Sequence, residues 1–160
     1  MKPLFLASVC AGLVLGSGAA LAGPVQVAFV QPDTFTDAGD GDRDAHASLQ
    51  VLADYLQWLG QRYLPPEQSL DIEVLDVDLA GKLRPTFRWG TVRVVGRPVD
   101  WPHITLRYRL HADGKTLGSG EASIADMAYS VHLGSYTGLD ALSSEKHMLK
   151  GWFRGQFAKN

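Results

Sequence analysis

The chain of 160 residues carries 15 lysine and arginine residues against 17 aspartate and glutamate residues, a formal net charge of −2, and 46% of its residues are hydrophobic. This charge balance gives no overall electrostatic attraction to nucleic acids or anionic membranes. The length suits one domain with its own core, and no internal repeat or low-complexity tract divides it.

The first 22 residues have the pattern of a secretory signal peptide. Lys2 follows the initial methionine, an apolar segment runs from Leu4 to Leu15, and the sequence ALA ends at Ala22. These are the three parts of a signal peptide in their usual order. The apolar segment is shorter than the roughly 20 residues of a membrane-spanning helix. We therefore expect export to a periplasm with cleavage after Ala22, and no membrane span.

The only cysteine of the chain, Cys10, lies inside this segment. The apolar run continues beyond Cys10, whereas the cysteine of a lipoprotein follows the run, so we expect no lipid anchor. Residues 23–160 contain no thiol, which excludes disulfides and thiolate metal ligands there. We expect these residues to form a single domain.

The first half of that domain is predicted to be strand, helix, strand. The stretch VQVAFV at Val25–Val30 is apolar on both faces and predicts a central strand. From Asp44 to Leu64 apolar residues recur every three or four positions, which predicts a long helix capped by Asp42 or Asp44. Ser69–Gly81 alternates like a strand, with a change of phase near Leu75 that indicates a β-bulge. A right-handed crossover would make the two strands parallel.

The second half is predicted to contain a hairpin and a final helix. Thr91–Val95 is predicted to be a short strand, and residues 82–90 and 130–142 receive no prediction. His103–Leu110 alternates clearly, and a three-residue loop ending at Gly114 would place Arg107 opposite Ser119 on the returning strand. Ser143 or Ser144 would cap the last helix. The expected fold is α+β, a mixed four- to five-stranded sheet with the long N-terminal helix and the C-terminal helix on one face.

The polar face of the 103–110 strand is the first candidate site. Arginine binds carboxylate and phosphate through its planar fork. An exposed sheet face carrying arginines therefore predicts binding of an acidic peptide, a glycan or another small acidic ligand. The alternative is a solvated sheet face without a ligand. The residues concerned are His103, Arg107, Arg109 and His111, with Trp101 as an aromatic edge.

Carboxylates form the second set of candidates. Asp76 and Asp78 share a strand face beside the predicted bulge, and together with Asp126 they would supply a hydrolase if the fold gathered them in one cleft. Asp126 is alternatively predicted to pair with Lys146 and tie the last helix to the hairpin.

A calcium site in the stretch FTDAGDGDRDAH, using Asp37, Asp40, Asp42 and Asp44, is the third alternative. The glycine and the final carboxylate of an EF-hand loop are missing there, so a helix-capping loop is the preferred interpretation. The five histidines lack zinc-motif spacing, and we expect no metal site and no cofactor.

Several blocks of the sequence resemble a known family. These blocks are FTDAGD, DVDLAG, DWPHITLRYRL, DMAY and EKHMLKGWF, in this order between Val25 and Phe157. Their order is similar to that of a proteobacterial family of exported proteins, the domain-of-unknown-function family numbered 3016. The resemblance implies a single-domain envelope protein and supplies no catalytic residues.

The functional prediction that follows is a non-enzymatic envelope module that binds a partner protein, a glycan or a small acidic ligand. A carboxylate-based hydrolase and a calcium-stabilised domain are the alternatives.

Overall fold

The computed structural model describes residues 25–132 and 142–158, which form six strands and three helices. The elements are β1 (Val25–Phe29), α1 (Asp42–Tyr63), β2 (Gln68–Asp78), β3 (Lys82–Thr86), β4 (Gly90–Val94), β5 (His103–Ala112), β6 (Lys115–Ala125), α2 (Tyr129–His132) and α3 (Ser143–Phe157). A 3₁₀ turn at Pro32–Thr34 lies between β1 and α1. None of the described helices is long and apolar enough to cross a membrane.

Four strands form a mixed sheet in the order β1-β2-β5-β6, and β3 pairs with β4 in a separate two-stranded sheet. β1 is parallel to β2, and the other pairs are antiparallel. This arrangement confirms the α+β class, the four-stranded mixed sheet and the parallel first pair. The prediction of β1 as a central strand is wrong, because β1 lies at the sheet edge with Gln26 and Ala28 exposed. Alanine has a small side chain and is tolerated at exposed positions, so apolar composition alone does not distinguish an edge strand from a central strand.

The core lies between the four-stranded sheet and the two long helices. Leu52, Leu56 and Leu59 of α1 are almost fully buried, as the periodicity predicts. α1 approaches β1 so closely that a Cβ atom at Gly60 would collide with Val25. α3 contributes Phe153, which is fully buried.

β2 contains the predicted bulge. Its register with β5 shifts between Val74 and Asp76, and this shift turns Val77 into the core. The apolar face therefore continues to the end of the strand, and Asp76 and Asp78 point away from it.

The β5–β6 hairpin differs from the prediction by two residues. Arg107 lies opposite Glu121 instead of Ser119. The reason is a two-residue turn at Asp113 and Gly114, both with positive φ (50° and 71°), together with an irregularity after Leu110. This is the backbone of the tight hairpin turns that match strand twist.

Neither long helix has a side-chain N-cap. α1 begins after Gly41 and α3 after Leu142. The predicted caps at Asp42 or Asp44 and at Ser143 or Ser144 are therefore wrong.

Candidate functional site

A groove of about 720 Å³ lies beyond the carboxyl end of β1, beside the first two turns of α1. The lining combines buried or half-buried apolar side chains with polar side chains that are mostly exposed. The apolar lining includes Phe35, Ala38, Ala45, Leu49 and Leu83, and the polar lining includes Asp33, Asp42, His46 and Lys82.

The loop that forms one wall of this groove is fastened to the end of β2. The backbone N–H of Asp37 donates to the carbonyl of Val77 at 2.8 Å, and the N–H of Leu79 donates to the carbonyl of Asp37 at 3.0 Å. The carboxylate of Asp76 accepts hydrogen bonds from the backbone N–H of Thr36 (2.8 Å) and from its hydroxyl (2.9 Å). The wall is thus positioned by β2 rather than by its own turns.

The carboxylate of Asp37 joins this wall to β4. Both of its oxygens accept hydrogen bonds from the guanidinium of Arg93, at 3.0 and 2.7 Å. Burial by itself would lower the pKa of Arg93, but the hydrogen bonds and the charge of Asp37 outweigh it and raise that pKa above its ordinary value. The pair fixes the β3–β4 hairpin, hereafter the arm (residues 82–94), against the groove.

Glu145 is the most buried charged side chain among the described residues, with 2% of its surface exposed. Its Oε1 accepts a hydrogen bond of 2.7 Å from the backbone N–H of Ala80, two residues before the arm. Burial raises the pKa of Glu145, although the hydrogen bond from Ala80 and the charge of Arg93 oppose the shift. The sequence analysis missed this contact, because the two residues lie 65 positions apart and no local pattern joins them.

Two of the four carboxylates predicted to bind calcium make contacts within the protein. Asp37 is bonded to Arg93, and the carboxylate of Asp44 accepts a hydrogen bond from the backbone N–H of Asp40 at 2.8 Å. These contacts give the two acids structural roles that do not require a metal ion.

The predicted site on the sheet face is polar and exposed, and acidic side chains lie beside its basic ones. Arg107 donates to Glu73 at 2.8 Å and lies 3.9 Å from Glu121. His111 lies 3.1 Å from the carboxylate of Asp71. A cavity of about 280 Å³ on this face is therefore lined by acidic as well as basic side chains. The arginines are solvated as expected, yet the face is not a basic patch.

The remaining sheet-face candidates have separate surroundings. Arg109 is exposed and lies opposite Asp71 and Ser119 in the strand register. His103 forms a hydrogen bond of 2.8 Å with the hydroxyl of Ser123. Trp101 precedes β5 with 36% of its surface exposed.

Each of the three candidate carboxylates contacts a different neighbour. Asp76 binds Thr36, Asp78 lies 3.3 Å from Lys82, and Asp126 lies 3.1 Å from His132. For the predicted pair of Asp126 and Lys146, the contacts found are those of Asp126 with His132 and of the Lys146 ammonium with the ring of Tyr55, 5.8 Å from its centre.

The fold places His132 and His147 beside Asp126. The two imidazole rings are 4.9 Å apart between centres and tilted by 37°. One ligand atom from each of the three residues lies within 4.8 Å of the others. The sequence analysis did not group these residues, because the two histidines are 15 positions apart on different helices.

Comparison with family models places the chain in a family. Residues 23–155 match the family described as "Protein of unknown function (DUF3016)", and the chain therefore belongs to that family, as the sequence blocks indicate. Neither the curated proteins nor the solved structures contain a match to the chain.

Proposed function

We propose that this chain is an exported, non-enzymatic binding module of a Gram-negative envelope, and that it holds its ligand in the groove beside α1. The observation that carries the proposal is the groove itself. Its volume of about 720 Å³ lies within the range of roughly 300–1,000 Å³ that is usual for ligand sites, whereas the sheet-face cavity of about 280 Å³ lies just below it.

The walls of the groove support the proposal because they are fastened before any ligand arrives. The loop is bonded to β2 through Asp37 and Asp76, and the arm is bonded to the loop through Arg93. A site whose walls are already ordered loses less entropy when it binds a ligand.

The lining favours a ligand with an apolar part and a basic or hydroxyl-bearing part. Asp33 and Asp42 are exposed acids at the groove, and the one lysine of the lining, Lys82, is paired with Asp78. Complementary charge therefore disfavours a small acidic ligand here. A segment of a partner protein with apolar and basic side chains has the required chemistry.

The contacts of the three candidate carboxylates favour binding over hydrolysis. Hydrolysis by paired carboxylates, as in glycosidases, needs two carboxyl groups that face the same bond. Asp76, Asp78 and Asp126 each contact a different neighbour on a different element.

Export is supported by the pattern of residues 1–22 and by the start of the family match at residue 23, directly after the predicted cleavage site. Mass spectrometry of the protein from the periplasmic fraction should find an N-terminus at Gly23. Ala22→Asp, which removes the small residue required at the cleavage site, should leave the uncleaved chain. Accumulation of uncleaved wild-type protein in the cytoplasm would refute export.

The groove is tested by filling it. Ala45→Phe adds a large side chain to the lining, while the double variant Arg107→Glu with Arg109→Glu changes only the open sheet face. Partners that co-purify with the periplasmic protein are identified, and their affinities for each purified variant are measured. We expect Ala45→Phe to weaken binding strongly and the sheet-face variant to bind normally. The opposite result would place the site on the sheet face.

A further inference from the structure

We propose that Asp126, His132 and His147 form a binding site for a divalent transition metal of the zinc class. This inference does not rest on the proposed function, and the site lies apart from the groove. Two imidazoles and a carboxylate are a common ligand set for such ions, whereas calcium and magnesium prefer oxygen ligands alone.

Asp126 and His132 are placed by a short, well-anchored segment after β6. The carboxylate of Asp126 accepts a hydrogen bond of 3.0 Å from the backbone N–H of Ala128, which fixes one of its oxygens. Tyr129 is fully buried, and its hydroxyl accepts from the N–H of Gly96 and donates to the carbonyl of Arg97, both at 3.0 Å. The second oxygen of Asp126 lies 3.1 Å from Nδ1 of His132.

His147 comes from a different rigid element. It lies in the second turn of α3, between the buried side chain of Glu145 and the buried side chains of Met148 and Leu149. The side chain of His147 is exposed. The site is thus built from one carboxylate and one ring held by the segment after β6 and one ring carried by α3.

The spacing of the donors is close to that of a metal centre. Zinc binds imidazole nitrogen and carboxylate oxygen at about 2.0–2.2 Å, so the donors of a tetrahedral site lie about 3.3 Å apart. The three ligand atoms lie within 4.8 Å of one another here, and one pair is already 3.1 Å apart. Metal binding therefore requires the most distant pair of donors to approach each other by no more than about 1.5 Å.

Three protein ligands leave one tetrahedral position for water or for a group of a further ligand. The three proposed ligands themselves line a groove of about 380 Å³, together with Ser123, Met148 and Trp152, so such a group has space beside them. The arrangement matches metal sites that keep an open coordination position more closely than closed structural sites.

The test is a Zn²⁺ titration of the untagged protein purified from the periplasm, in competition with a chromogenic chelator. We expect one Zn²⁺ per chain, no competition by Ca²⁺, and a Co²⁺ adduct with the visible absorption of tetrahedral coordination. His132→Ala, His147→Ala and Asp126→Asn should each weaken Zn²⁺ binding by about tenfold or more. Asp126→Asn keeps an oxygen that can accept the hydrogen bond from the N–H of Ala128. The variant therefore removes the negative charge of the ligand without removing the contact that holds the segment after β6.

His103→Ala and His111→Ala are the matched controls, since both histidines lie on the open sheet face. They should leave the affinity unchanged. Absence of one-to-one binding, or binding that survives His147→Ala, would overturn the proposal, and so would an unchanged affinity in Asp126→Asn. His132→Ala could disturb α2, and a lower melting temperature of this variant without metal would identify such a disturbance. His147→Ala changes an exposed side chain and remains decisive in that event.

Discussion

The four-stranded sheet and the arm are held in place by different kinds of contact. The sheet packs against α1 and α3 through fully buried apolar side chains such as Leu59, Leu106 and Phe153. The arm has no side chain of that kind in β3 or β4, where every described residue is half-buried or exposed. Its tip presents Phe87 and Trp89 to solvent.

The arm is fastened instead by polar contacts near its two ends. Arg93 binds Asp37, the N–H of Gly81 donates to the carbonyl of Asp100 at 2.8 Å, and the N–H of Gly96 donates to the hydroxyl of Tyr129. Gly81 has a φ of +82°, and a Cβ atom there would collide with the carbonyl of Val94. An apolar core can lose packing contacts one by one and still hold together, whereas a hydrogen bond or ion pair of the arm is either present or absent. We therefore expect the arm to open before the sheet unfolds.

The largest expected effect comes from truncating the apolar core. Phe153→Ala removes a fully buried ring that lies 5.0 Å from the ring of Phe157 and 6.3 Å from that of Tyr63. We expect the free energy of unfolding to fall by about 3–5 kcal/mol, measured by chemical denaturation. Phe87→Ala at the exposed tip of the arm is the matched control and should change stability by less than about 0.5 kcal/mol. Equal losses in the two variants would contradict the comparison.

The next largest effect concerns the ion pair of the arm. Asp37→Ala leaves the guanidinium of Arg93, whose side chain is only 20% exposed, without its carboxylate. We expect a loss of about 2 kcal/mol, less than for a fully buried pair because water reaches the site. The loss should appear as a roughly 30-fold fall in the hydrogen-exchange protection of β3 and β4, with the protection of β5 changed less.

Two further variants separate the ion pair from other effects of Asp37→Ala. The double variant Asp37→Ala with Arg93→Met removes both charges and should regain part of the lost protection. Asp78→Ala breaks the more exposed pair with Lys82 and should cost less than about 1 kcal/mol. An arm with unchanged protection in Asp37→Ala would show that its attachment does not depend on the pair.

A pH-dependent effect is expected from Glu145. Because burial raises its pKa, the folded chain keeps this proton at pH values where the unfolded chain has lost it. The unfolded state then binds fewer protons, so the contribution of Glu145 to stability falls as the pH rises above the ordinary glutamate pKa, and it levels off once the folded form has ionised. Glu145→Gln cannot titrate and keeps an oxygen for the N–H of Ala80.

The measurement is the free energy of unfolding of both proteins across the acid range. We expect the stability of Glu145→Gln relative to the wild type to increase with pH through that window. Parallel pH profiles would mean that Glu145 is not shielded from water.

Local periodicity predicted the elements that form the apolar layer. The apolar stripe of α1, the bulge of β2 and the alternation of β5 each depend on residues only a few positions apart, and all three are confirmed. The family assignment is also confirmed. It was based on short blocks of sequence, each of which can be identified without knowing the fold.

The polar contacts could not be predicted in this way. The partner of Glu145 is 65 positions away, and that of Arg93 is 56 positions away. The arm lacks clear apolar alternation because it buries so little, so residues 82–90 carried no strand signal. The register of the β5–β6 hairpin depended on a choice between two-residue and three-residue turns that the letters ADG allow equally.

The smallest expected effect comes from the open sheet face. It tests whether burial, rather than the number of ion pairs, sets how much the contacts of the arm contribute to the free energy of unfolding. Arg107 bonds Glu73 at 2.8 Å, as short as the contacts of Arg93, but the two side chains are 52% and 49% exposed. Water and salt screen such a pair, so Arg107→Ala should cost less than about 1 kcal/mol, and the difference should shrink further in high salt. The same denaturation experiment at low and high salt measures it. A loss as large as that of Asp37→Ala would mean that the sheet face is a structural part of the fold, and the contrast between the two polar regions would then fail.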